Sequence, residues 1–183
     1  MITIFIITFL AGMGAVLQRG RVLTLARHIS PWALPCSLFG TTAQTLGMSI
    51  GGGTGHLLIT LSAAALTSAA YALRRWPGGP LLVAGVALNA LAMTAYGRMP
   101  IAPEVLMRLG HSLPDGTVLS GSKDIVADGW LAYWLGDRFI LALRPVSHVT
   151  IFSFGDLLMI AGLLWMAIAP LGTSYKIQPA EEE

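Results

Sequence analysis

Apolar residues form five long stretches along the chain, separated by short polar or glycine-rich segments. The stretches cover residues 2–17, 32–50, 56–73, 80–97 and 154–172. A helix needs about 20 apolar residues to cross the hydrocarbon core of a bilayer, with about 17 as the lower limit. Backbone groups in lipid must be hydrogen-bonded within their own segment, which favours helices over strands. The pattern therefore predicts about five transmembrane helices.

Residues at the ends of these stretches are typical of helix boundaries. Ser30 and Pro31 provide an N-cap and a first-turn proline for the second stretch. Ser153, followed three residues later by Asp156, is the pattern of a capping box at the start of the last stretch. We therefore interpret Ser153 and Asp156 as a helix cap, and not as an acid or base that takes part in catalysis.

The distribution of arginines predicts the orientation in the membrane. No basic residue precedes the first stretch, which argues against a cleaved signal peptide. Loops rich in basic residues stay in the cytoplasm, and two short loops carry such residues: Arg19, Arg21, Arg27, Arg74 and Arg75. The N-terminus is therefore predicted outside and the C-terminus inside.

The composition narrows the class of protein further. Hydrophobic residues make up 55% of the 183 residues and charged residues only 11%, whereas a soluble domain has about 25% charged residues. The mean hydropathy is +0.71. We predict an all-α polytopic membrane helix bundle, with a single membrane domain over residues 1–172 and a polar tail over 173–183. The expected location is the bacterial cytoplasmic membrane.

Charge and cysteine content exclude two kinds of partner or site. The 11 basic and 9 acidic residues give a net charge of +2, too small and dispersed for the basic patch that nucleic-acid binding needs. The single cysteine, Cys36, excludes an intramolecular disulfide and a multi-cysteine metal site.

Residues 98–153 form a long polar connection before the last stretch. It contains five basic and five acidic residues: Arg98, Arg108, Lys123, Arg138, Arg144, Glu104, Asp115, Asp124, Asp128 and Asp137. We predict an amphipathic extracytoplasmic loop that lies against the membrane and has no core of its own. Aromatic residues in the segment 130–144 suit the headgroup region, and a re-entrant segment is the alternative.

Two amides lie near the middle of apolar stretches: Gln44 in the second and Asn89 in the fourth. Each could contact a translocated solute or form a hydrogen bond between helices. Interhelical hydrogen bonds of ~0.6 kcal/mol are common in membrane proteins, so we favour packing. We expect Gln44 and Asn89 to lie at similar depth and to bind each other or a common polar group.

Small residues at a spacing of four predict close contact between helices. Gly47 and Gly51 have this spacing in the second stretch, and Ala65 and Ala69 repeat it in the third. The contact could be within the chain or with another subunit. The glycine-rich segment 51–55 lacks the Lys-Ser/Thr ending of a phosphate-binding loop, so we interpret it as a turn.

Candidate ligands for a cofactor or metal are few. A haem between helices needs an imidazole at membrane depth, and only His56, at the edge of the third stretch, comes close. Histidines and aspartates of the loop show no spacing typical of a metal site. We therefore expect no bound cofactor, no metal and no catalytic residue.

Three motifs follow Asn89 in a fixed order: Arg98-Met-Pro-Ile101, then Leu135-Gly-Asp137, then Ser153-Phe-Gly-Asp156. In this order the chain resembles a family of small bacterial multi-pass membrane proteins that is known only as a domain of unknown function. The resemblance covers most of the chain after the second stretch. It implies a membrane location and brings no activity with it.

Without a catalytic group or nucleotide loop, the leading hypothesis is a non-enzymatic accessory or assembly subunit. Its expected partners are the lipid bilayer and other membrane protein subunits of a larger complex. A transporter or channel for a small neutral solute or a lipid, using Gln44 and Asn89, is the first alternative. A membrane enzyme that acts on a lipid or quinone is the second.

Overall fold

The computed structural model describes residues 30–119, 123–143 and 148–169. These residues form six helices and four short strands. In chain order the elements are α1 (Ala33–Ile50), α2 (Gly52–Tyr71), α3 (Gly79–Tyr96), β1 (Met99–Ile101), α4 (Pro103–Arg108), β2 (Asp124–Val126), α5 (Trp130–Leu135), β3 (Phe139–Leu143), β4 (His148–Phe152) and α6 (Phe154–Ile168).

The four long helices pack in a row, with α1 on α2, α2 on α3, and α3 on α6. Small residues lie where two helices cross. A Cβ added to Gly47 would lie 2.7 Å from the carbonyl oxygen of Gly55 and 2.9 Å from Ile59, so only glycine fits between α1 and α2. On α2, Ala69 is buried and Ala65 is half-buried.

Gly51, in contrast, serves a turn and not a helix contact. A Cβ added there would meet nothing within 4 Å. Its φ of +66° is a conformation that glycine adopts without strain, and it allows the chain to reverse between α1 and α2. The spacing of four predicted that Gly51 packs against another helix. Instead, glycine is needed at this position for the backbone conformation of the turn.

The helices coincide with four of the five predicted stretches, and the fifth, 2–17, lies outside the described residues. Over the described part of the chain, one helix is long and apolar enough to cross a membrane: α3, Gly79–Tyr96, with a mean hydropathy of 1.5. The segment Phe154–Met166 of α6 is apolar over a shorter length. Hydroxyl and amide side chains, such as Thr41, Gln44 and Thr45, lower the hydropathy of α1.

The prediction of an all-α fold needs correction, because the segment between α3 and α6 contains strands. Strands β1 and β2 pair in parallel, with Met99 opposite Asp124. Strands β3 and β4 form an antiparallel pair, with Phe139 opposite Phe152. Each strand has only three to five residues, too few for a clear alternation of apolar and polar positions. The fold is mainly helical with two small sheets.

The prediction that residues 98–153 lack a core is wrong. Residues from β1, α4 and β2 bury a common apolar cluster of Ile101, Ala102, Val105, Leu106 and Val126. A second cluster joins this region to the helices, because Met99 packs with Ile59, Ala92 and Met93. The segment between α3 and α6 is therefore a small folded cap on the end of the helices.

The aromatic segment that was predicted to be interfacial or re-entrant forms the short helix α5 and the strand β3. Trp130, Tyr133 and Trp134 are exposed. The guanidinium of Arg138 lies over the ring of Tyr133, 4.3 Å from its centre, and it also faces three other aromatic rings: Trp134, Phe139 and Phe154. A re-entrant helix is therefore not formed by the described part of this segment.

Candidate functional site

Asn89, in the middle of α3, joins a hydrogen-bonded network with the start of α6. Its amide donates to Asp156 Oδ1 at 2.8 Å, and its carbonyl oxygen accepts from Ser153 Oγ at 2.8 Å. Ser153 is fully buried. Because donor and acceptor of the amide are both used, the orientation of Asn89 is fixed relative to α6.

The same two residues begin α6 with a capping box. Ser153 Oγ accepts from the backbone N–H of Asp156 at 3.0 Å, and Asp156 Oδ2 accepts from the backbone N–H of Ser153 at 3.1 Å. Asp156 thus uses one oxygen for the helix end and the other for Asn89. A carboxylate in the first turn is also stabilised by the helix dipole.

Glycines make this close approach of α3 and α6 possible. A Cβ on Gly155 would collide with Asn89 Oδ1 and would lie 2.6 Å from the carbonyl oxygen of Gly85. A Cβ on Gly85 would in turn collide with the backbone of Gly155. Gly155 therefore leaves the space that the amide of Asn89 occupies.

A second polar group, the ion pair between Lys123 and Asp137, lies next to this network. Lys123 Nζ is 3.4 Å from Asp137 Oδ2; the Lys123 side chain is 40% exposed, whereas that of Asp137 is only 2% exposed. Within the described part of the chain, Asp137 Oδ1 has no hydrogen-bond partner. A buried carboxylate oxygen without a partner is costly, so this carboxyl is held in an unfavourable environment for its charge.

Electrostatics at this pair favour a proton on Asp137. Burial raises the pKa of Asp137, the ammonium of Lys123 lowers it, and the carboxylates of Asp124 and Asp156 raise it again, with a result of about 7. Burial lowers the pKa of Lys123, but the carboxylates of the same three residues, Asp137 first, outweigh this and leave it above the ordinary value. Lys123 therefore stays charged at neutral pH, while Asp137 exchanges its proton.

The three sequence motifs meet at this place. The backbone N–H of Asp137 donates to the carbonyl oxygen of Pro100 at 2.9 Å, which joins the second motif to the first. The next residue, Arg138, donates its N–H to the carbonyl oxygen of Phe152, directly before the third motif. Asp137 and Asp156, which end the second and third motifs, both raise the pKa of Lys123.

A cleft of about 900 Å³ runs along the helices and ends at these polar groups. Volumes of roughly 300–1,000 Å³ are typical of small-molecule sites. The wall is mainly apolar, with residues such as Leu66 and Leu82. Its polar residues include Gln44, Ser62, Asn89, Lys123 and Asp156. The cleft therefore has a mainly apolar wall, and groups that can form hydrogen bonds lie at one end of it.

Gln44 and Asn89 both line the cleft, but the predicted bond between them is not formed. Gln44 Nε2 donates to Met93 Sδ at 3.1 Å, whereas the partners of Asn89 are Ser153 and Asp156. Met93 is one turn of α3 away from Asn89. A thioether is a weak acceptor, so the amide of Gln44 can exchange this contact for a better one.

Sequence reasoning missed Lys123 and Asp137 as members of the site, because it treated them as loop charges that cancel. A signal was present for Asp137, because this aspartate ends the second of the three motifs just as Asp156 ends the third. Among the described residues, no group of three or more His, Cys, Asp or Glu side chains could hold a metal ion. His56 contacts the carbonyl oxygen of Thr94 at 2.5 Å.

Comparison with known proteins gives the family but no activity. No curated protein and no solved structure matches the chain significantly. The sequence profile of a family of unknown function, DUF5317, matches residues 28–168. This range contains the four long helices, the cap between α3 and α6, and all three motifs. The chain therefore belongs to the DUF5317 family of unknown function.

Proposed function

We propose that the chain is an integral membrane protein that binds a lipid-like amphiphile in the cleft between its helices. The observation that carries this proposal is the combination of an apolar cleft of about 900 Å³ with the polar end formed by Asn89, Lys123 and Asp156. An apolar chain fits the wall, and a polar head fits the end. Of the hypotheses drawn from the sequence, this proposal is nearest to the first alternative, a transporter or channel for a lipid.

The surface of the helices supports a membrane location. Large apolar side chains on α1 point outward, including Leu38, Phe39 and Ile50, each more than half exposed. Continuous apolar surface of this kind is unfavourable in water. The exposed hydroxyls of α1 are also satisfied within the helix, since Thr41 donates to Ser37 O and Thr45 to Thr41 O. Such back-bonding suits a helix in lipid.

The charges at the end of the cleft favour an uncharged head. Lys123 carries one positive charge, but it is surrounded by the carboxylates of Asp137, Asp156 and Asp124. An anionic head would add a further negative charge, and a cationic head would meet the ammonium of Lys123. A hydroxyl or carbonyl oxygen avoids both costs and accepts a hydrogen bond from the ammonium.

The accessory-subunit hypothesis stays a prediction with less support. It depended on small residues at helix faces, and within the described residues Gly47 and Ala69 are used inside the chain, Gly47 against α2. A free small-residue face would be needed for a partner helix. We therefore place ligand binding before subunit packing.

Filling the cleft should displace the ligand. The exchange Ala63→Phe places a ring in the cleft wall, and we expect at least about a fivefold loss of bound lipid, equal to about 1 kcal/mol. The measurement is native mass spectrometry and lipid extraction after purification in mild detergent. The control is Ala64→Phe, at an exposed neighbouring position on the same helix.

A photo-crosslinker in place of Ala63 identifies the occupant directly. Crosslinks to a lipid support the proposal. Crosslinks to the chain's own segment 1–29, or to a second protein, would show that the cleft is a protein-packing surface and would overturn it.

The orientation N-terminus outside is tested by cysteine labelling. In a Cys36→Ser background, single cysteines replace the exposed residues Gly53, Ser112 and Arg75. We expect an impermeant maleimide to label the first two in intact cells but not the third, because the arginine-bearing loop lies in the cytoplasm. Labelling of the third position alone would reverse the orientation.

A further inference from the structure

Lys123 belongs to two environments at once. Its side chain lines the cleft and is 40% exposed, while its Nζ lies 3.4 Å from Asp137 Oδ2. An ammonium has three N–H donors. The side chain of Lys123 lines the cleft, and its ammonium contacts the carboxyl of Asp137 in the cap. Asp137 is buried in the cap and, among the described residues, is not one of those that line the cleft.

We propose that ligand binding in the cleft is linked to proton uptake: Lys123 turns from Asp137 to the hydroxyl or carbonyl oxygen of the ligand head, and Asp137 Oδ1 takes a proton. This inference rests on the proposed ligand-binding function and adds its regulation. The proton comes from solvent buffer, and the only bond formed is the O–H of the Asp137 carboxyl. No electron transfer is involved.

The reason for the linkage is the position of Asp137. Its carboxyl is buried, and Oδ1 has no hydrogen-bond partner within the described residues. The ammonium of Lys123 is the group that stabilises its negative charge. If Lys123 weakens this contact in order to bind a ligand, the ionised carboxyl becomes less stable, and protonation removes the buried charge.

The other carboxylates around Asp137 act in the same direction as a weaker contact with Lys123. Asp124, on β2, and Asp156, on α6, both raise its pKa. The neighbouring Arg138 lies over the Tyr133 ring, and Arg98, before β1, donates to the carbonyl oxygen of Met48. The pKa of Asp137 is about 7 in the ligand-free protein, so binding changes its protonation near neutral pH.

The direct test is calorimetry of the full-length wild-type protein in nanodiscs. The probe is 1-oleoylglycerol, with an uncharged hydroxyl head, titrated at pH 8 in buffers of different ionisation enthalpy. We expect an uptake approaching one proton per ligand, because Asp137 is mostly ionised at this pH before binding. Binding without proton uptake would overturn this inference while leaving the proposed function intact. Absence of binding by all probes would overturn both.

The same titration is carried out with three further probes. Decylubiquinone offers carbonyl oxygens, whereas oleic acid and oleylamine carry charged heads. Comparison of 1-oleoylglycerol with decylubiquinone shows whether the site prefers a hydroxyl or a carbonyl head. Either preference agrees with the inference. Tighter binding of oleic acid or oleylamine than of both uncharged probes would contradict it, because the head would then be charged.

The pH dependence gives a second measurement. For the wild type we expect the Kd to rise about 20-fold between pH 6.5 and 8.5, since the ligand prefers the form with protonated Asp137. Asp137→Asn imitates that form and should bind tightly with no such dependence. Lys123→Met should bind weakly at both pH values. An unchanged pH dependence in Asp137→Asn would assign the proton to another group.

Discussion

Replacing Asp137 by asparagine is expected to stabilise the protein by up to about 4 kcal/mol at pH 8, with little change at pH 4. In the folded protein the pKa of Asp137 is raised from 3.8 to about 7. A pKa difference of one between the folded and unfolded states corresponds to about 1.4 kcal/mol. Asparagine has nearly the same shape, carries no charge and does not titrate.

The sign follows from which state binds the proton more tightly. Between pH 4 and 7 the folded protein keeps a proton on Asp137 that the unfolded chain has lost, so the free energy of unfolding falls as pH rises, and it levels off above pH 7. Asp137→Asn removes this fall. Thermal and chemical unfolding in detergent from pH 4 to 8 measures the difference between the two proteins.

An exposed carboxylate provides the matched control. Glu104, in the first turn of α4, is exposed, and Glu104→Gln should change the unfolding free energy by less than about 0.5 kcal/mol over the same range. If Asp137→Asn instead destabilised the protein at pH 8, the ion pair with Lys123 would be net favourable and the burial argument would fail.

Gly155→Ala is expected to destabilise the protein by about 1–3 kcal/mol, the range for an overpacked core. The new methyl group would overlap Asn89 Oδ1 and crowd the carbonyl oxygen of Gly85. Relief would require α3 and α6 to separate or the Asn89 amide to leave its partners. Unfolding measurements in detergent give the loss, and a further loss of ligand binding would show that the network supports the cleft.

Gly53→Ala provides the comparison for the same substitution without a clash. A Cβ on Gly53 would meet nothing within 4 Å, and Gly53 lies in the first turn of α2. Alanine has a higher helix propensity than glycine, so this variant should be as stable as the wild type or up to about 1 kcal/mol more stable. Similar losses in Gly53→Ala and Gly155→Ala would mean that packing at the crossing of α3 and α6 is not the cause.

The long helices could be predicted because their signals are local. The apolar stretch 32–50 differs from α1 by one residue at its start, and Ser153 with Asp156 marks the first turn of α6. The start of α2 was predicted four residues too late. The glycines after Gly51 were interpreted as a turn, but they form the first turn of the helix.

The cap and the site could not be predicted in this way, because they depend on contacts between distant residues. Strands β1 and β2 have three residues each, and α4 and a long connection separate them along the chain. Lys123 and Asp137 looked like two of ten balancing loop charges. Only the fold brings them together and buries the carboxyl, which changes a solvated charge into a proton-binding group.

The attachment of the cap to the helices also determines whether the cap can unfold on its own. Arg98 donates to the carbonyl oxygen of Met48 near the end of α1, and Met99 is buried among residues of α2 and α3. A segment held in this way does not fluctuate as a separate unit, because its release exposes the apolar ends of the helices. Backbone amides of β1 should therefore exchange with solvent as slowly as those in the middle of α3.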